Sequence, residues 1–177
     1  MLKLLTLLGL LIGSSVLGQF ALPYSTQKRE DVQVGVFTFR TQIDTMSDER
    51  SSYVTALSND KTTSLNLTCS NKFPLVYVFA ENSILSELGE MAVVIRFDKT
   101  PAWDAVTWSG EVNRSGRSAW MSKSADILRF SKAAYNAKQV IIRVFTTEQS
   151  NYQDFTFPLT GYFKAVKRLS CARAFGF

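Results

Sequence analysis

From Gln33 onward the chain is patterned mainly by alternation. Val34, Val36 and Thr38 alternate with Gly35, Phe37 and Phe39 as far as Ile43, which predicts a first strand. Residues 44–50 are polar and have the turn chemistry to end it. Strand formers return at 53–57, a Ser58-Asn59-Asp60-Lys61 turn follows, and Leu65, Leu67 and Cys69 then share one face of the next strand. Residues 75–79 and 91–97 are continuous apolar runs, as expected of strands covered on both faces or by a helix on one. Between them, 81–90 has room for a short helical turn. Residues 98–101 interrupt the pattern, 105–109 predict a short strand and 110–116 a hydrophilic loop.

The period then changes. Ser124 is placed to cap a helix whose Ile127, Leu128, Ser131, Ala134 and Tyr135 form one stripe, predicting a helix near 124–138. Residues 140–147 and 152–157, around a polar turn, read as a β-hairpin. Pro158 bars a central ladder position, Thr160 is a candidate cap, and Phe163, Val166 and Leu169 predict a C-terminal helix that carries Cys171. Seven or eight strands and two helices with short connections predict one α+β domain on a largely antiparallel sheet or sandwich.

The start of the chain differs in kind. Met1-Leu2-Lys3 is followed by an apolar run to Ile12 and by small residues to Gly18, which predicts a signal peptide over 1–18, cleaved before Gln19. The run is shorter than the ~20 residues a bilayer span needs, so no stable membrane span is expected after cleavage. Residues 19–32 predict a flexible leader and 33–177 the folded domain. Removing 1–18 leaves 159 residues and lowers the formal charge from +5 to +4, because Lys3 is the one charged residue lost. Mild basicity without Lys/Arg blocks gives no reason to expect nucleic acid. Export to an oxidising compartment makes Cys69 and Cys171, the entire cysteine content, most simply one structural disulfide. The domain is expected to be periplasmic or secreted.

The sequence has no histidine, which removes Ser-His-Asp triads, Cys-His dyads and the usual zinc spacings. No catalytic residue, metal or cofactor is predicted. Asp44, Asp48 and Glu49 are the densest carboxylates, lack calcium-loop spacing and are explained by turn formation. Arg96, Asp98 and Arg143 are a candidate polar cluster, either an ion pair at the edge of the core or a reader of a carboxylate. Trp103, Trp108 and Trp120 flank Arg114 and Arg117, and these five residues form the candidate binding surface, with core packing as the competing role for the tryptophans.

The order Leu67-Thr68-Cys69, Val94-Ile95-Arg96-Phe97-Asp98, Trp108, Ile141-Ile142-Arg143-Val144, Thr156-Phe157-Pro158-Leu159-Thr160-Gly161 and Leu169-Ser170-Cys171 resembles the VasI/TagO-type proteins, small secreted proteins associated with bacterial type VI secretion. The likeness runs from about Thr41 to Cys171, and residues 172–177 depart from the family's usual short ending. It implies a small disulfide-linked β-rich domain and an envelope accessory role, and it carries over no catalytic residue. The function expected is that of an exported, non-enzymatic accessory or binding protein of the bacterial envelope, with a protein or envelope component as partner. A carboxylate-dependent cell-wall hydrolase, or a secreted toxin or adhesin, is the alternative.

Overall fold

A computed structural model describes residues 28–43, 48, 50–70, 73–80, 89–113, 116–121, 123–145 and 151–177. Residues 1–18, where a signal peptide is expected, most of the expected 81–90 turn, Asp44, Glu49 and Arg114 lie outside these. Among the described residues ten strands form one antiparallel sheet: β1 (Lys28–Val34), β2 (Phe37–Ile43), β3 (Arg50–Leu57), β4 (Thr63–Ser70), β5 (Phe73–Ala80), β6 (Gly89–Phe97), β7 (Val106–Asn113), β8 (Gly116–Met121), β9 (Gln139–Phe145) and β10 (Tyr152–Pro158). The order across the sheet is β1-β2-β3-β4-β5-β8-β7-β6-β9-β10. Two runs of five strands therefore meet at the β5–β8 pair. The sheet also curls back on itself, since the Asn59 N–H, just past β3, donates to the Thr156 carbonyl of β10 at 2.9 Å.

The inner face is the core. Val54, Leu65, Leu67, Val76, Val78, Val93, Ile95, Val140 and Ile142 are all fully buried there at every second position. Helix α1 (Ser124–Asn136) closes it with Ile127, Phe130, Ser131 and Ala134. A short α2 (Tyr162–Val166) adds Tyr162, Ala165 and Val166. Phe130 packs edge-on against Phe97 at 5.3 Å, and Tyr162 against Phe37 at 5.9 Å. The fold is thus the antiparallel α+β architecture expected, with strand outweighing helix.

Several local expectations are corrected. The single strand through Ile43 is two strands, because Gly35 adopts φ +63° and opens a two-residue hairpin loop. Residues 28–32 are consequently in β1 and not in a flexible leader. Their charged sequence gave no strand signal because β1 pairs on one side only and buries little. Residues 110–113 belong to β7, and β8 supplies a strand where none was expected. Ser124 does not cap α1, whose N-cap is Lys123. Thr160 does not cap α2 either, because Gly161 holds that position with φ +92°. The Thr160 carbonyl instead accepts the Val36 N–H at 3.0 Å, tying the β10–α2 corner to the β1–β2 loop. The C-terminal helix stops at Val166, and a 3₁₀ turn, Ala172–Phe175, follows it.

Cys69 and Cys171 are bonded, with Cα atoms 5.8 Å apart across 102 residues of sequence. Cys171 lies beyond α2 rather than on it, just ahead of the 3₁₀ turn. The bond anchors the C-terminal segment to β4.

Candidate binding surface

Alternation that buries Val76 and Val78 turns Tyr77 and Phe79 of β5 to the outer face of the sheet. Register then builds a row across it. Tyr77 lies opposite Asn66 of β4 on one side and opposite Trp120 of β8 on the other. Asn66 faces Thr55 of β3, and Trp120 faces Ser109 of β7. Cross-strand partners at such positions sit about 5 Å apart, so the rings of Tyr77 and Trp120 are neighbours at the surface, whereas Asn66 is buried. The amide is held in place: Thr55 Oγ1 donates to Asn66 Oδ1 at 2.8 Å, and Asn66 Nδ2 donates to Ser64 Oγ at 2.8 Å.

Beside the row stands Tyr53 of β3. The Arg40 guanidinium lies 5.4 Å from its ring and donates to its hydroxyl through Nη1 at 3.3 Å. Arg40 is itself fixed by a bidentate pair with Asp31 at 2.6 and 2.8 Å, which Arg29 also grips. Burial pushes the Tyr77 hydroxyl above its usual range, reinforced by Tyr53. Burial likewise raises Tyr53; the Arg29 charge opposes the shift and Asp31 adds to it. Both hydroxyls are therefore neutral near pH 7, each able to donate and accept. Flat rings beside neutral hydroxyls suit stacking on the apolar face of a ligand with hydrogen bonds at its rim.

Of the five residues expected to form a surface, the three tryptophans do not share one. Trp108 is fully buried opposite Met91, and among the described residues its Nε1–H has no acceptor. It is a core residue. Trp103 is half-buried on Phe97, ring centres 5.5 Å apart, with the Arg129 guanidinium 4.0 Å over it. Of the three tryptophans, Trp120 alone reaches the outer row. Arg117 is a β8 residue whose backbone pairs with Ala80 and Val112. The physical reason is the strand period: Trp108 and Trp120 come from neighbouring strands but from opposite faces.

The Arg96–Asp98–Arg143 cluster also divides. Arg143 pairs bidentately with Asp154 of β10 at 2.7 and 2.8 Å, and that hydrogen bond raises its pKa further. Its guanidinium also lies 4.0 Å from the Tyr152 ring. Asp98 leaves the strand at φ +46° and accepts the backbone N–H groups of Lys138 and Gln139 at 3.0–3.1 Å. Its carboxylate thus fixes the α1–β9 junction, as a side chain does at a helix end. Arg96 is exposed and sits opposite Ile141. Sequence reasoning missed Tyr53, Asn66 and Tyr77; the alternation around each was visible, but which strands stand side by side was not.

No family model matches the chain, and no curated protein matches it. Among solved structures, invasion associated protein B from Bartonella henselae is similar, with a TM-score of 0.55 over 81% of this chain and 97% of that one. Sequence identity is 9%, so the likeness is one of fold. The shared architecture extends over nearly all of that protein.

Proposed function

We propose that the protein is an exported, non-enzymatic binding protein of the bacterial cell envelope, an accessory to type VI secretion, that holds an envelope component against the outer face of its sheet. Export is supported by the Cys69–Cys171 bond, which calls for an oxidising compartment, together with the signal-type pattern of residues 1–18. The type VI association rests on the sequence resemblance described above. The observation that carries the binding role is the pairing of Tyr77 with Trp120 on the outer face, beside the Tyr53 ring that Arg40 holds, a pre-organised surface that loses little entropy on contact.

Pull-down from the native envelope fraction, with bound material identified by mass spectrometry, tests this. The mature protein is expected to enrich one component that a Tyr77→Ala/Trp120→Ala variant with an unchanged circular dichroism spectrum loses. Equal recovery by both proteins removes the outer face from the proposal. A recovered component of the secretion apparatus supports the accessory role, and a wall or lipid component alone refutes it.

A further inference from the structure

A second surface lies on the helical side. Tyr135, at the end of α1, is 48% exposed and packs against Phe163 at 4.9 Å, and Phe177 backs both rings at 5.8 and 5.1 Å. Tyr135 and Phe163 line an open groove of about 560 Å³ with Asn136, Lys164 and the Thr160–Gly161 backbone. A second cleft of about 340 Å³, lined by Trp103, Thr100 and Pro101, shares Asn136 and Ala137 with the first. The two together run past the end of α1, with aromatic rings in both.

Past Asp126 the charged side chains of α1, and all of those on α2, have one sign. Between Asp126 and Glu148, and again after Asp154, the sequence contains no Asp or Glu, so every charged side chain in those two stretches is Lys or Arg. Lys164 lines the groove, Lys167 holds its ammonium 4.4 Å from the Phe163 ring, and Lys132 and Lys138 are exposed on either side of Tyr135 and Asn136 in sequence. Asp98, which borders the second cleft, is occupied by the Lys138 and Gln139 N–H groups.

From this we infer that the groove beside α1 docks an extended acidic segment of a partner protein, placing an aromatic or large aliphatic side chain between Tyr135 and Phe163 and its carboxylates against the surrounding lysines. Rings on the floor and cations at the rim are complementary to such a segment, and buried anchors with charged surroundings are how short peptides gain both affinity and on-rate. Concavity argues for a segment that enters the groove over a flat bilayer surface. The site and the partner chemistry are separate from the outer sheet face, so this inference stands or falls without it.

Selection of short random peptides displayed against the mature protein tests the inference, followed by anisotropy titration of the enriched sequence at low and high salt. Enriched peptides are expected to combine Asp or Glu with an aromatic or leucine anchor. Binding is expected to weaken with salt, and by about tenfold or more in Lys164→Glu/Lys167→Glu and in Tyr135→Ser proteins of unchanged melting temperature. The Tyr77→Ala/Trp120→Ala protein is expected to bind the peptide as wild type does. Failure to enrich acidic-apolar sequences overturns the inference, as does equal binding by the groove variants. Lysine-dependent binding to phosphatidylglycerol vesicles or to an oligonucleotide, with no peptide bound, also overturns it.

Discussion

Tyr162 is where burial acts most strongly on a single group. Its hydroxyl lies in the core, 2.6 Å from Ser131 Oγ, and burial pushes its pKa well above the ordinary tyrosine range, an effect the Ser131 bond only partly offsets. In the unfolded chain a tyrosine ionises near about pH 10. Below that pH both states keep the proton and the stability is fully present; above it the unfolded chain releases a proton that the folded protein retains. Unfolding free energy is therefore expected to fall with rising pH above about 10, by up to ~1.4 kcal/mol per pH unit for this group. Tyr77 shifts in the same direction. Urea titrations at several pH values check this. Tyr162→Phe is expected to flatten the alkaline decline while costing about 1–3 kcal/mol at neutral pH, where Ser131 loses its buried partner. An unchanged alkaline slope in that variant refutes the assignment.

At the scale of elements, the corner between β10 and α2 locks against the β1–β2 loop. Gly35 and Gly161 both have positive φ, and a Cβ on Gly161 would come within 2.6 Å of the Val34 carbonyl oxygen. Gly161→Ala therefore meets a left-handed backbone worth about 1–2 kcal/mol as well as a backbone clash. Expected is a loss of at least about 2 kcal/mol, read from the denaturant midpoint. A variant as stable as wild type shows that the two loops separate easily. Element types were largely legible from the chain: α1 was recovered within two residues of its end, since its stripe is long and periodic. The short or weakly patterned elements were not. In β1 the sequence Lys-Arg-Glu-Asp carries no apolar alternation, and α2 ends early because the chain must turn to bring Cys171 to β4.

Across the whole molecule the disulfide is the longest covalent constraint. It closes about a hundred residues, for which the chain-entropy model gives between 4 and 5 kcal/mol, approximately, before strain. Cys171→Ser is expected to destabilise the oxidised protein by about 2–5 kcal/mol and to leave the reduced proteins nearly equal. Equal melting temperatures under oxidising conditions contradict this. Charge is also distributed at this scale: carboxylates are scattered over the strands and loops, whereas the helical side after Asp126 is basic. Formal net charge conceals that separation.

By itself the sequence determined the inward and outward positions along most strands, the amphipathic helix, the two cysteines with one plausible partner each, and the exclusion of histidine chemistry. These follow from local period and from inventory, which need no knowledge of neighbours. Only the tertiary structure decided which outward residues meet. That Trp120 stands beside Tyr77 while Trp108 lies in the core, that Arg143 chooses Asp154 over Asp98, and that Tyr135, Phe163 and Phe177 gather at one groove all depend on strand order and register. Pairing partners far apart in the chain is settled by how the two five-strand halves bury a common core, a sum over the whole domain that no short window of residues contains.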